Sequence, residues 1–156
     1  MKFASILAAL ALAISASSGF ALSELEINGS RLDANGPFGF PDTITGNFTN
    51  DSEGIVDYFS FNATGGNTYS FNASVAGFGS DLAIDIENSI GSIVATKDVN
   101  GSNQGESLNY TPSSSGTYYL VIYDAFAAPS GTSYTVNASQ TSGVSDWNLY
   151  LSLIHI

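Results

Sequence analysis

Asp81-Leu82-Ala83-Ile84-Asp85-Ile86-Glu87 decides the fold. Leu82, Ile84 and Ile86 recur at every second position, the period of a strand with one face on a core. Asp81, Asp85 and Glu87 stand between them, so the strand is predicted to turn its acids to water. The same alternation recurs on both sides. In residues 56–62, Asp57, Phe59 and Phe61 share one face and Val56, Tyr58 and Ser60 the other. In residues 68–75, Tyr69, Phe71, Ala73 and Val75 oppose Ser70, Asn72 and Ser74. Further strands are predicted at 44–48, 92–96, 107–110, 117–123 and 133–138. The stretch 117–123 is apolar or aromatic on both faces, which fits a central strand partly covered on its second side.

Turn signals separate these runs: Asn35-Gly36-Pro37, Gly65-Gly66-Asn67, Asn100-Gly101, Ser115-Gly116 and Ser130-Gly131. Asn100-Gly101 is expected to close a hairpin. No segment of residues 22–145 holds a helical period. About eight short strands at this spacing predict an all-β chain, an antiparallel β-sandwich or jelly roll. The domain is expected over 22–140. A linker, or the start of a further region, follows over 141–150, where the composition turns to Gln-Thr-Ser-Gly-Val-Ser.

The chain has 156 residues, a length for one domain, with 14 acidic and 3 basic side chains. A formal charge of −11 leaves no Lys/Arg footprint for nucleic acid and opposes docking on anionic lipid. The absence of cysteine removes disulfides, thiolate nucleophiles and Cys-ligated zinc. The single histidine, His155, stands one residue from the end.

Residues 1–21 read as a signal peptide, a helix removed on export. Lys2 gives the positive start, Phe3 to Ile14 the apolar run, and Gly19-Phe20-Ala21 a small-residue cleavage site. The apolar run falls short of the roughly 20 residues that span a bilayer, so no membrane insertion is expected after cleavage. Localisation is therefore expected to be secreted, extracellular or at the cell surface. At the other end, residues 151–156 (Leu-Ser-Leu-Ile-His-Ile) are the translation of CTG-TCT-CTT-ATA-CAC-ATC, a transposase-type sequencing adapter. The expectation is a reading frame truncated after Tyr150, against the alternative of a strand alternating Leu149, Leu151 and Leu153.

Four segments, in order, resemble the bacterial pre-peptidase C-terminal domain, a secreted β-sandwich module related to the collagen-binding domains of bacterial collagenases. They are Glu24-Leu-Glu26-Ile-Asn28 with Asp33-Ala-Asn-Gly-Pro37; Ile44-Thr-Gly-Asn-Phe48 leading to Val56-Asp-Tyr-Phe-Ser-Phe61; Gly65-Gly66 before Tyr69, then Asp81-Leu82 and Gly91; and Ser115-Gly-Thr-Tyr-Tyr-Leu-Val121 closing with Tyr134-Thr-Val136.

The resemblance implies calcium. In calcium-binding members, the Glu-x-Glu-x-Asn segment and acids of the loop entering the Asp-Tyr-Phe strand supply ligands. Carried over, these are Glu24, Glu26, Asn28 and Asp57, with Asp51 or Glu53 from the loop. The family's extra acid two residues before Asp-Tyr-Phe is Ile55 here. The residues alone leave two readings open for Asp57, which shares a face with Phe59 and Phe61 and so needs a partner. Either a cation meets it, or backbone N–H groups cap it while the glutamates stay solvated. Asp98-x-Asn100-x-Ser102 resembles the start of an EF-hand but lacks Gly at its sixth position and Glu at its twelfth, so the hairpin is preferred there.

The related collagenase domains use strand tyrosines on collagen, and aromatic platforms also bind polysaccharide. Tyr119 and Tyr123 are the expected ligand-facing pair, with most other strand tyrosines in the core. Eight Asn-x-Ser/Thr sequons, at Asn28, Asn47, Asn50, Asn62, Asn72, Asn100, Asn109 and Asn137, are read as compositional. Asp85 and Glu87 show no cleft signal that would make them a glycosidase pair.

The expected function is a non-catalytic secreted module that aids secretion, folding or attachment of an exoprotein, with an extracellular protein or polysaccharide as partner. Two alternatives stand beside it. One is the N-terminal fragment of a secreted peptidase or other hydrolase whose catalytic domain lies further on; the other is a carbohydrate-binding module.

Overall fold

A computed structural model describes residues 21–49, 55–77, 79–126 and 131–143. The expected leader through residue 20, the loop acids Asp51 and Glu53, and everything after 143 lie outside the described residues. Ten strands form: β1 (Ala21–Ser23), β2 (Asn35–Phe38), β3 (Asp42–Phe48), β4 (Val56–Ala63), β5 (Thr68–Ala76), β6 (Leu82–Asn88), β7 (Ile93–Lys97), β8 (Ser107–Tyr110), β9 (Gly116–Asp124) and β10 (Thr132–Thr141). They make two five-stranded sheets, β1-β3-β10-β5-β8 and β2-β4-β9-β6-β7. Among the described residues there is no helix, hence none long and apolar enough to cross a membrane.

The sandwich is all-β as expected, with two differences. β1 and β2 are extra, short edge strands, and both pair in parallel, with β3 and β4 respectively. Asn35-Gly36-Pro37, expected as a turn, lies within β2. A proline that cannot donate to a ladder is tolerated because β2 is an edge. The second difference is connectivity. Consecutive strands alternate between the sheets except at β6–β7, the one hairpin. Asn100-Gly101 therefore closes no hairpin, since β7 and β8 belong to different sheets and the loop 98–106 crosses between them.

The inward residues Ile44, Phe48, Phe59, Phe61, Phe71, Ile84, Leu120, Ile122 and Val136 form one core. Burial at about 25 cal/mol per Å² of apolar surface makes it the main source of stability. The two outer faces differ. That of the first sheet carries Thr43, Asn72, Ser107, Ser133 and Asn137, cross-linked by pairs such as Ser133 Oγ to Asn47 Oδ1 at 2.6 Å. That of the second sheet is half-covered, and β6 is buried along both faces from Leu82 to Ile86. Asp81 and Asp85, expected in water, are consequently buried, at 6% and 9% exposure. Alternation shows which side chains leave the core but not what lies over them. Here Tyr58 and Tyr123, on the neighbouring β4 and β9, flank Val121 beside Asp85.

Candidate functional site

The N-terminal segment runs on from β1, with Glu24 N donating to Thr45 O at 2.9 Å. This lays Glu24 against β3, where Glu24 Oε2 accepts Asn47 N–H at 2.7 Å. Gly46 makes the approach possible. A methyl group in place of its hydrogen would overlap both the Tyr134 hydroxyl and Glu24 Oε2. Ile27 stands at φ 77°, a costly value for a β-branched residue. Asn28 follows it into the interior, 1% exposed, and its carbonyl accepts Tyr58 N–H at 2.9 Å.

Asp57 is the second residue of β4 and faces inward with Phe59 and Phe61, 4% exposed. Tyr134, reaching across from β10, donates its hydroxyl to Asp57 Oδ2 at 2.6 Å. Burial first, and then the facing Glu24 carboxyl, push Asp57 up to about 8 against the downward pull of this hydroxyl; Glu26 adds its charge. The same burial and acids hold Tyr134 well above its ordinary value, so it stays a donor. Two side-chain atoms here are buried without a hydrogen-bond partner, Glu24 Oε1 and Asn28 Nδ2.

The structure thus brings Glu24, Glu26, Asn28 and Asp57 to one end of the sandwich, and among the described residues it is the Tyr134 hydroxyl that meets Asp57. Of the two readings left open by the residues, the one with solvated glutamates fails for Glu24. Among the described residues no three acidic side chains close around one point as an ion cage. Two residues of this site carried no signal in the sequence. Tyr134 read as one core tyrosine among several, and Gly46 as an ordinary strand residue. The fact that β10 lies beside β3 is what joins them.

Tyr119 and Tyr123 occupy the outer face of the second sheet, half-buried, as does Tyr58, which the sequence reading had not singled out. Tyr119 and Tyr58 line a groove with Gly29, Arg31, Leu32 and Ser89. Tyr58 donates to Glu87 Oε1 at 3.2 Å, and Arg31 Nε lies 3.3 Å from Glu87 Oε2. Leu32 is 96% exposed at the rim.

No family model matches the chain, and no curated protein matches it. Among solved structures it is similar to the pre-peptidase C-terminal domain of collagenase from Bacillus anthracis. Identity is 16% and the TM-score 0.49, over 78% of this chain and 96% of that one. It is also similar to Aeromonas hydrophila PliG, a periplasmic lysozyme inhibitor of g-type lysozyme. There identity is 14% and the TM-score 0.45, over 78% of this chain and 96% of that one.

Proposed function

We propose that this chain is a non-catalytic, secreted β-sandwich module that attaches an exoprotein to an extracellular protein or polysaccharide through its tyrosine-bearing face. The observation that carries the reading is the contrast between the outer faces. One is a lattice of small polar side chains already bonded to one another. The other keeps Tyr58, Tyr119 and Tyr123 half-exposed beside a groove rimmed by Leu32. Tyrosine gives large apolar contact at little entropic cost while its hydroxyl still bonds polar ligands, which suits peptide or sugar surfaces. Catalysis has little to work with, since residues 21–143 contain neither cysteine nor histidine.

The test is retention of the chain on insoluble collagen, cellulose and chitin. A tyrosine anchor contributes about 1–2 kcal/mol, so Tyr119→Ala or Tyr123→Ala should weaken retention roughly tenfold at a temperature where circular dichroism shows each variant still folded. No retention on any matrix, or retention that both variants keep, would sink the attachment role.

Calcium is the second part of the reading, and the residues present fit a hard cation. They offer oxygen ligands, two of them carboxylates facing each other, and one carboxylate oxygen, Glu24 Oε1, is buried without a partner. Asn28 would hold such an ion through its amide oxygen, together with the facing carboxylates of Glu24 and Asp57, while Glu26 adds its charge from nearby; Asp51 and Glu53, between β3 and β4 in the sequence, stand outside the described residues. A bound ion neutralises these acids and ties the N-terminal segment to β4. With a Kd of roughly 10⁻⁴–10⁻³ M, 1 mM calcium would stabilise by about 0.4–1.4 kcal/mol. Melting in chelator and in calcium, for the wild type and Asp57→Ala, checks this. An undiminished calcium response in Asp57→Ala removes the ligand set.

A further inference from the structure

A second group of acids lies at the same end of the sandwich, on segments that contribute nothing to the first. Asp81 precedes β6, and Asp124 ends β9 opposite Leu82. Asp98 and Glu106 begin and end the crossover loop 98–106. That loop is fastened to the residues before β6, with Asn103 N donating to Ser80 O and Gly79 N donating to Asn103 Oδ1, each at 2.7 Å. Glu106 Oε1 accepts Val99 N–H at 2.7 Å and also Asn100 N–H. Asp124 Oδ1 accepts Asp81 N–H at 3.1 Å and Phe126 N–H at 2.9 Å.

These bonds satisfy one side of the cluster only. Asp81 Oδ1, Glu106 Oε2 and Ser80 Oγ are buried with no hydrogen-bond partner, on residues 6%, 1% and 0% exposed. Burial, followed by the charges of Asp98, Asp124 and Glu106, pushes the Asp81 carboxyl upward, so these acids lie within one another's fields. A buried carboxylate oxygen without a donor or cation costs several kcal/mol, and a neighbouring acid makes it worse. Arg31, one of two basic residues after the leader, is engaged with Glu87.

We propose that Asp81, Glu106 and Ser80 form a second calcium site, which pins the β7–β8 crossover loop to the start of β6. Asp81 and Glu106 would give the ion one carboxylate oxygen each, the Oδ1 and Oε2 that no donor reaches. The Ser80 hydroxyl and water complete an all-oxygen set of the mixed kind calcium accepts. The Asp98-x-Asn100-x-Ser102 run lies in this loop, though its EF-hand register is not what the fold uses. This site stands apart from the N-terminal acids and does not rest on their binding an ion.

The experiment uses the full chain carrying Asp57→Asn, so that the N-terminal acids are disabled, with calcium as the probe. Calcium should still raise its melting midpoint and shift the NMR amide signals of Val99, Asn100 and Asn103. Adding Glu106→Gln, which keeps an acceptor for Val99 and Asn100, should weaken that binding at least tenfold; Asp81→Asn should do the same. The proposal is overturned if those amides do not respond to calcium in the unsubstituted chain, a titration that needs no variant to fold. It is equally overturned if the response survives both substitutions. It also falls if Glu106→Gln and Asp81→Asn stabilise the chain in chelator while calcium moves nothing, since the oxygens then hold protons.

Discussion

The two acidic groups sit at one end of the same sandwich and solve the same electrostatic difficulty differently. At the N-terminal edge a side chain from the opposite sheet, Tyr134, supplies a proton donor to Asp57. At the crossover loop the donors are backbone N–H groups of the loop itself, and they reach Glu106 Oε1 but leave Oε2 bare. The first arrangement is held by packing, because the Tyr134 ring lies tilted against Phe48 within the core, with centroids 5.0 Å apart. The second is held by the loop's own conformation. Were a cation to bind at both places as proposed, the edge would tolerate its loss better than the loop.

Several measurements sharpen or break that contrast, beginning with the substitution of largest expected effect. Tyr134→Phe keeps the ring and removes the only hydroxyl shown to reach Asp57. A hydrogen bond to a charged group is worth about 1.5–3 kcal/mol, so calorimetry above pH 8, where Asp57 is ionised, should show a loss of that size, and a smaller one below it. Combining it with Asp57→Asn should recover part of the loss, because no ionisable acid then lacks its donor.

The next effect is pH. Asp57 titrates higher in the folded chain than in the unfolded one, so the folded state binds more protons between about pH 4 and 8. Stability measured in chelator should fall as pH rises through that window, by up to about 1.4 kcal/mol per unit, and level off above it. Calcium should flatten the slope, because it favours the ionised carboxylate. A flat profile in chelator would mean that Asp57 is ionised throughout.

Smaller still is Asn103→Ala, which removes the acceptor of Gly79 N–H and loosens the loop from β6. About 1 kcal/mol is expected, larger in chelator than in calcium if an ion pins the same loop. Equal losses in both conditions would separate the loop's fastening from any ion.

Most strands were legible because inward apolar residues alternate over long runs, as in 68–76 and 82–88. β1 and β2 were not, since three or four residues at a sheet edge carry no period. The N-terminal acids were legible for two reasons. Asp57 stands in phase with Phe59 and Phe61, and the Glu-x-Glu-x-Asn segment resembles a known module. The second group is spread over positions 81, 98, 106 and 124 on three segments, which only the crossovers bring together. Local pattern reads Asn100-Gly101 as a hairpin because it cannot see that β7 and β8 belong to different sheets.

The placement of β10 has a consequence for how the chain comes to be folded. β10 lies between β3 and β5, and those two strands have no ladder with each other. During synthesis from the N-terminus, the first sheet therefore cannot close until residues 132–141 have emerged. Until then β3 and β5 each present an open edge to other chains. Pairings so distant along the sequence form slowly, over milliseconds to seconds. The β6–β7 hairpin, the sole local pairing, is the one piece able to form early. Until β10 has emerged, a nascent chain of this topology has an unclosed sandwich, and a chain not yet locked into its fold is one that can still be threaded through a narrow channel.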